Sequence, residues 1–346
     1  MRLCKAFEIT GISKHQYYHK PKKNKRGVKA SEYTHTVTGN RVNNGFIVEQ
    51  IKQMHQNPDT DYGYIKVTYK LKTMGYVINK KKVYRLMKEN NLLGKRYNFK
   101  EKTYAKYRKV LPKAPLHVLE MDIKFVWVEQ ARKHAYILTI IDTFTRVVLY
   151  YTVRFSITKT EVKQAWEHVV IKHLQPNDCL NREINIEVRN DNDKRFSAAM
   201  VRDFFKENSI SQVFTHPYTP QENGHVESFH SILSKRLKRY IFWSLEELEQ
   251  NLVLFYEFYN NERLHGSIAY TNPQDFWLLW KQNKVAMTID EKKKKITFKL
   301  KVSHHHLYQL TGNNEPEGSS LHVSEGNKKI NNKMISAETS IYQLTV

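Results

Sequence analysis

The spacing of apolar residues along the chain changes near residue 115. Upstream, apolar residues recur at every third or fourth position over residues 46–57, 67–74 and 80–93, which is the spacing of amphipathic helices. Downstream, VLEMDIKFVWV, HAYILTIID and RVVLYYTV are rich in β-branched residues and are separated by short polar turns. This pattern predicts a three-stranded antiparallel meander. The chain therefore begins with helical segments and continues into a domain that contains a sheet.

Helices and strands alternate after the meander. Thr158 and Glu161 form a capping-box pattern before a helix whose apolar stripe includes Trp166, which we interpret as a core residue. INIEVRND then predicts a fourth strand, AAMVRDFFKEN a helix, SQVFTH a short fifth strand, and residues from about His225 to Tyr240 a long helix. Three strands followed by helix, strand, helix, strand and helix is the order of a ribonuclease H-like fold.

Two helix-turn-helix modules are predicted ahead of this domain. The first lies in MRLCKAFEITGISKHQYYHK, with Ser13 as its candidate N-cap, and the second has helices on either side of the turn GYVIN. The predicted fold class is α/β: a ribonuclease H-like mixed-sheet catalytic core preceded by all-α helix-turn-helix DNA-binding modules. The predicted segments are a partial helix-turn-helix (1–20), a basic linker (21–44), a helix-turn-helix module (45–95), a basic linker (96–115), the core (116–282) and a tail (283–346). The tail is predicted to contain one strand, ITFKLKV, followed by a mobile end, and its His residues at 304–306 are predicted to form a surface tract.

The formal charge of +23 is unevenly distributed along the chain. Between Lys80 and Lys113 there are 13 Lys or Arg residues and two acids, which favours a polyanionic partner such as DNA. A solvated linker is the alternative interpretation of such a block. The candidate DNA-binding residues form two groups, one in this block and one at the end of the long helix: Lys80, Lys81, Lys82, Arg85 and Lys88, and Lys235, Arg236, Lys238 and Arg239.

Composition also indicates the compartment. The chain has two cysteines, Cys4 and Cys179, far apart and without a CxxC pattern, which fits a reducing cytosol. No run approaches the ~20 apolar residues of a membrane span, and the N-terminus lacks the apolar core of a signal peptide. We therefore expect a cytoplasmic protein.

Three carboxylates lie at positions where an acid needs a partner. Asp122 interrupts the first strand-like run, Asp191 closes INIEVRND, and Glu227 lies in HPYTPQENGHVESFH at the start of the long helix. An isolated acid at the edge of a core is costly unless something pairs with it. Hard divalent cations with oxygen ligands are the usual partners, and the lack of Cys or His ligands favours Mg²⁺ or Mn²⁺ over zinc.

Other polar residues near these positions have simpler interpretations. Asp142 ends a strand, and we interpret it as a turn residue paired with Arg146. Asp193 and Glu222 are predicted to lie in loops, and Asn223 with Gly224 to cap the glutamate helix. His225 either approaches DNA or lines the loop, and the sequence does not decide between the two.

The sequence segments that carry these acids resemble the motifs of a known protein family. MDIKFVW, RNDNDKRF and TPQENGHVES are similar to the catalytic core of insertion-sequence transposases related to retroviral integrases, the DDE family, and above all to its second-reading-frame (OrfB) type. YNNERLHGSIAYTNPQDF is similar to the closing segment of that family, and YGYIKVTYKLKTMGYVINKKKVYRLMKENNLLG to its upstream DNA-binding module. The resemblance covers roughly residues 1–280.

The resemblance implies a DNA transposase with metal-dependent cleavage and strand-transfer activity at the ends of an insertion sequence. It implies catalytic and metal-binding roles for Asp122, Asp191 and Glu227, with Mg²⁺ as cofactor and Mn²⁺ as a substitute. The implied partners are DNA (terminal inverted repeats and target DNA), further copies of the chain in a multimer, and the product of an upstream reading frame. The implied location is the nucleoid of a bacterial cytoplasm.

The sequence departs from the family strings at three positions. Asp193 stands where Gly is usual, Arg195 where Gln is common, and Ser234 where a basic residue is usual. Two functions of other classes are therefore kept as alternatives. One is a catalytically inactive DNA-binding regulator of the element, and the other is a stand-alone ribonuclease H-like nuclease, which would not need the basic helix-turn-helix block.

Overall fold

A computed structural model describes residues 3–18, 30–60, 62–94, 110–180, 185–216, 219–292, 295–305 and 307. Part of the basic block, residues 95–109, lies outside these ranges, as do residues 21–29 of the predicted first linker and the end of the predicted tail. Within the described ranges, none of the helices is long and apolar enough to cross a membrane.

The first two helices are short and carry no buried residue. They are α1 (Leu3–Thr10) and α2 (Lys14–Tyr18). Ser13 caps α2, because its hydroxyl oxygen accepts a hydrogen bond of 3.2 Å from the Gln16 N–H. The two helices of the predicted partial helix-turn-helix are therefore present.

The second module combines three helices with a small sheet. Its elements are β1 (Tyr33–Thr36), β2 (Arg41–Asn43), α3 (Asn44–Gln56), α4 (Tyr64–Thr73), β3 (Tyr76–Val77) and α5 (Lys80–Glu89). The three helices follow the predicted spacing, and Asn79 caps α5 by accepting from the Lys82 N–H. The strands form an antiparallel sheet in the order β2-β1-β3. This sheet was not predicted, and its first two strands lie in the segment that we interpreted as a linker.

The core domain has the predicted order of elements. These are β4 (Val118–Val128), β5 (Lys133–Asp142), β6 (Val148–Arg154), α6 (Lys159–Val169), β7 (Ile186–Asn190), α7 (Ala199–Glu207), β8 (Ile210–Phe214) and α8 (Gly224–Leu237). The sheet order is β6-β5-β4-β7-β8, with the meander antiparallel and β7 and β8 parallel to their neighbours. The mixed-sheet core predicted from the sequence is confirmed.

Helices cover both faces of this sheet. On one face, α6 and α7 pack through a cluster that contains Trp166, which is fully buried and lies edge-on to Phe205, so its interpretation as a core residue is confirmed. The predicted capping box of Thr158 and Glu161 begins α6. On the other face, α8 packs against the strands together with α9 (Leu245–Asn261).

A third apolar cluster joins the segment that follows α9 to the core. It involves α10 (Pro273–Lys281), β9 (Val285–Asp290) and β10 (Lys295–Leu300), and its aromatic centre is Phe144, Phe276 and Phe298. The predicted strand ITFKLKV is therefore present and pairs with β9. His304 and His305 are partly buried and bonded to main-chain carbonyls, so these two residues do not form the exposed tract that we predicted. His306 lies outside the described residues.

The small module docks onto the core through an ion pair and aromatic contacts. The Asp59 carboxylate contacts the guanidinium groups of Arg236 and Arg239 at the end of α8. Tyr69 stacks on Tyr270 with ring centroids 4.2 Å apart. The Asp59 side chain is only 9% exposed, so solvent screens its charge weakly. The module is thereby fixed to the helix that carries Glu227.

Replacing Asp59 by Ala should weaken this docking. The substitution leaves two guanidinium groups facing each other without their acid. The free energy of docking should fall by roughly 2–3 kcal/mol, after allowance for the partial exposure of Arg239. All five tryptophans lie in the core, after residue 116, so their fluorescence reports core unfolding, whereas far-ultraviolet circular dichroism reports all helices. In Asp59→Ala the dichroism transition should precede the fluorescence transition by roughly 10 °C. Superimposed curves would contradict the docking role. Glu49→Ala, which removes an exposed ion pair with Lys52, is the control.

Candidate active site

The sheet brings two of the predicted acids to neighbouring strands. Glu120 of β4 is in register with Arg189 of β7, and the two strands run parallel. Asp122 and Asp191 each follow two residues later, so they lie side by side where β7 ends. Because side chains alternate along a strand, Glu120, Asp122 and Lys124 all face α8.

Glu227 lies in the first turn of α8 and joins the same charge cluster. Burial raises the pKa of Asp191, and the charges of Asp122 and Asp193 raise it further. Burial, followed by the charges of Asp122 and Glu120, raises the pKa of Glu227 to about 7. Asp122 acts on both, so the structure brings the three predicted acids together. Like charges at such a site favour a bound cation.

Glu120, which sequence reasoning did not single out, connects β4 to the start of α8. Its fully buried carboxylate accepts hydrogen bonds of 2.8 Å from the main-chain N–H groups of both His225 and Val226, and it contacts Nδ1 of His225 at 2.7 Å. Burial raises the pKa of Glu120 to about 8, although the Val226 N–H and the charges of Arg146 and Arg189 offset part of the rise. Glu120 thereby caps the helix that presents Glu227.

Two further polar residues lie at the start of the glutamate helix. His225 lines this part of the chain through its contact with Glu120. Asn223 occupies the predicted N-cap position of α8, but its side chain makes no cap hydrogen bond. Its side-chain amide donates instead to the Met121 carbonyl at 3.3 Å, and Glu120 caps the helix. The available sequence signal was an acid at a core position of a strand, two residues before Asp122.

Removing the Glu120 carboxylate should destabilise the site. In Glu120→Ala two buried N–H groups lose their acceptor, which costs about 2–4 kcal/mol of unfolding free energy. Glu120→Gln keeps an acceptor oxygen for them and should lose about 1 kcal/mol. Urea unfolding measures both changes, with the exposed Glu207→Ala as a control. Equal stability of Glu120→Ala and wild type would contradict the capping role.

His230 holds the Asp122 carboxylate from α8. Its Nδ1 lies 3.1 Å from Oδ2 of Asp122, while Oδ1 of Asp122 accepts from the Ile123 N–H at 2.8 Å. The hydroxyl of Ser234 donates to the His230 carbonyl at 2.6 Å. Both oxygens of Asp122 are therefore oriented. Sequence reasoning missed His230, although it lies three residues after Glu227 and so on the same side of the helix.

Asp142 lies in a turn, as we predicted, although the hydrogen bond that joins it to Arg146 is a main-chain one. It is fully buried, and its carboxylate accepts from the main-chain N–H groups of Leu116, Phe144 and Thr145 and from the Thr145 hydroxyl. The Arg146 N–H donates to its carbonyl at 2.9 Å. Because its carboxylate oxygens accept hydrogen bonds within this turn, Asp142 has a structural role and is not part of the acid cluster.

Two of the departures from the family strings form a pair with each other. Nε of Arg195 donates to Oδ1 of Asp193 at 2.8 Å, and this contact lowers the pKa of the Asp193 carboxyl. The Asp193 N–H donates to Oδ1 of Asp191 at 3.2 Å. The Asp193 charge is thus neutralised within its own loop, and the loop supports Asp191.

The predicted DNA-binding residues fall into two groups in the structure. Lys80, Lys81 and Lys88 on α5 are exposed, as are Lys235 and Lys238 on and after α8. The remaining four make protein contacts: Lys82 and Arg85 with the main-chain carbonyls of Tyr33 and Ser31, and Arg236 and Arg239 with Asp59. The contacts of Lys82, Arg85, Arg236 and Arg239 therefore stabilise the small module and its docking.

Among the residues that the structure describes, no group of three or more His, Cys, Asp or Glu side chains is arranged to hold one metal ion. A site in which each ion takes two carboxylates and completes its shell with water or phosphate oxygens is consistent with this result, because Mg²⁺ commonly keeps several waters.

Family comparisons divide the chain as the structure does. Residues 43–100 match the family described as an HTH-like domain. Residues 112–220 and 208–273 each match a family described as an integrase core domain. All three acids lie within the two core matches.

Two curated relatives are similar over most of this length. The transposase for insertion sequence element IS904 of Lactococcus lactis is 22% identical over 250 residues, covering 68% of this chain and 95% of the relative. The insertion element IS407 31.7 kDa protein of Burkholderia multivorans is 22% identical over 217 residues, covering 62% and 75%. Among solved structures, the catalytic core domain of BIV integrase aligns with a TM-score of 0.35 at 22% identity, covering 49% and 98%.

Proposed function

We propose that this chain, an insertion-sequence transposase with an integrase-like core, cleaves DNA at the ends of its element and joins those ends to new DNA through Asp122, Asp191 and Glu227. The observation that carries the proposal is the convergence of these acids from β4, the end of β7 and the first turn of α8. Three separate elements deliver a carboxylate to one place inside the integrase core match.

The three acids fit a pair of hard divalent cations. Carboxylate oxygens are the ligands that Mg²⁺ and Mn²⁺ accept. Burial and the charge of Asp122 raise the pKa of Asp191 and of Glu227, and bound positive charge would favour the ionised form of both. Asp122 would serve both ions, with Asp191 completing one site and Glu227 the other. When bound, the ions supply activation of the attacking oxygen and stabilisation of the leaving 3′-oxygen.

The surrounding residues fix the acids before DNA arrives. His230 and the Ile123 N–H hold both oxygens of Asp122, while Glu120 sets the position of α8 and therefore of Glu227. A site held in place in this way needs little reorganisation during the reaction. A catalytically inactive regulator would have no need of such positioning.

DNA binding is assigned to the small module and to the end of α8. The module would place α5 and its exposed lysines on the terminal inverted repeat, and the core would act on the end and the target. Both ends must be held together, which requires more than one copy of the chain. We also propose a partner encoded by an upstream reading frame, and a location at the bacterial nucleoid.

Exposed and structural cations on α5 should affect DNA binding differently. Lys81 and Lys88 lie two turns apart on one side of the helix, so replacing both by Ala should flatten the salt dependence of end binding by roughly two units of slope. Replacing Lys82 and Arg85 by Ala should lower affinity with little change of slope, because these residues hold the β1 segment. Fluorescence anisotropy over a salt series measures both slopes. Equal slope changes in the two variants would contradict this division.

An assay with labelled end DNA and Mg²⁺ separates the proposal from its rivals. Joined products are expected for the transposase. Cleaved products without joining would indicate a stand-alone ribonuclease H-like nuclease, and binding without either product would indicate a DNA-binding regulator.

A further inference from the structure

A groove lies beside Asp122, between the outer half of β4 and the C-terminal end of α8. Its volume is about 300 Å³. Its walls include Lys124 and Val126 of β4, Leu237 and Lys238 at the end of α8, and Tyr240 and Phe242 in the segment that follows. None of these residues has a part in the acid cluster described above.

The groove follows an open edge of β4. β7 pairs with β4 only as far as Glu120, and Val128 at the far end of the strand makes an isolated bridge to Phe242. Between these two points, no strand among the described residues pairs with this edge, whereas β5 pairs with the opposite edge throughout. The edge therefore offers main-chain donors and acceptors to a ligand in the groove.

Positive charge is concentrated at the end of the groove nearest the acids. Lys124 lies two residues beyond Asp122 on the same face of the strand. Lys238 directly follows α8 and lines the same groove. The one acid in the lining, Glu129, is five residues further along the strand, or about 16 Å. A phosphate is favoured at the Lys124 end alone.

The other end of the groove is apolar and aromatic. Tyr240 is 47% exposed and Ile241 is 71% exposed, and both line the groove. Large apolar side chains exposed side by side are typical of a binding surface. Aromatic rings of this kind stack on nucleobases without regard to sequence. The groove volume of about 300 Å³ is at the small end of the range for ligand sites. A groove of this size suits one nucleotide and excludes a duplex.

We propose that this groove binds one unstacked nucleotide of the reacting DNA strand, with its phosphate between Lys124 and Lys238 and its base against Tyr240. The inference rests on the proposed function, because it assumes that DNA lies on the acid cluster. It adds a subsite that holds the strand end beside the acids. The groove would then favour DNA whose end is single-stranded over fully paired DNA.

The test compares binding of two DNA molecules by the full chain in EDTA, where no cleavage occurs. One is a short blunt duplex and the other is the same duplex with a single-stranded 3′ extension that contains 5-iodouracil. Wild type should prefer the extended duplex, and Tyr240→Ala should reduce this preference roughly tenfold through lost stacking. Tyr240→Phe should retain it, and Lys238→Ala should reduce it. Tyr33→Ala is the matched control, because Tyr33 is 46% exposed and lies on β1, away from the groove.

Irradiation of the extended duplex should cross-link it to the peptide that contains Tyr240. The proposal is overturned if Tyr240→Ala and Tyr33→Ala keep the same preference as wild type, or if the cross-link forms on a peptide outside the groove. It is also overturned if Tyr240→Ala changes dimerisation but not DNA preference. That last result would indicate that a strand of a second copy occupies the edge. Because this measurement involves no chemistry, a wild-type protein that shows the preference but never joins DNA would count against transposition and not against the groove.

Discussion

Asp122→Asn, Asp191→Asn and Glu227→Gln are each expected to abolish cleavage and joining while leaving end binding nearly intact. The amide keeps the shape of the side chain but loses the charge that a hard divalent ion requires. Loss of the metal ions raises the activation free energy of the reaction by several kcal/mol, so the rate should fall roughly 10³-fold or more. The measurement is a strand-transfer assay with end DNA that carries a free 3′-hydroxyl, alongside anisotropy for binding.

Asp203→Asn is the matched control for this series. Asp203 lies exposed on α7, a helix packed on the opposite face of the sheet from α8, and its replacement should leave joining within about twofold of wild type, as expected for an ordinary surface position. Near-normal joining by any one of the three acid variants would remove that residue from the site. Loss of DNA binding together with joining would indicate a folding defect instead.

The second large effect is expected on removal of the metal. Chelation with EDTA should abolish joining, and Mg²⁺ or Mn²⁺ added back alone should restore it, because both ions accept oxygen ligands. Ca²⁺ is larger and takes more ligands at longer distances, so it should support DNA binding without efficient joining. The direct reaction needs no nucleotide, and the chain contains no GxxxxGK[ST] loop to hold one.

The result in EDTA also discriminates between chemistries. Joining that persists after chelation, or a covalent bond between protein and DNA, would overturn the metal-dependent mechanism and indicate a serine or tyrosine nucleophile. An identical rate with Ca²⁺ and Mg²⁺ would show that ion size does not matter at the site, contrary to the proposed roles of Asp191 and Glu227.

Features set by local sequence were predictable. The order of strands and helices in the core follows from apolar periodicity, and the capping box of Thr158 and Glu161 follows from residues three positions apart. The three acids stood out because each falls at the edge of a predicted element. Their convergence on parallel strands and an adjacent helix is a consequence of that order.

Features set by packing between distant segments could not be predicted in this way. Glu120 bonds residues more than a hundred positions away, and His230 contacts Asp122 across 108 positions. Asp59 meets Arg236 across 177 positions, so cations that seemed suited to DNA turned out to hold two parts of the protein together. The small sheet escaped prediction because its strands span only two to four residues, too few for a clear alternation.

Counting bound Mn²⁺ by electron paramagnetic resonance, in the complex with end DNA, tests the central claim most directly. The claim is that Asp122 serves two divalent ions, with Asp191 and Glu227 completing one site each. Wild type should bind two ions per occupied site, Asp191→Asn and Glu227→Gln should each retain one weakly, and Asp122→Asn should bind neither at the same Mn²⁺ concentration. Retention of both ions by Asp122→Asn, in protein that still binds DNA, would contradict the account.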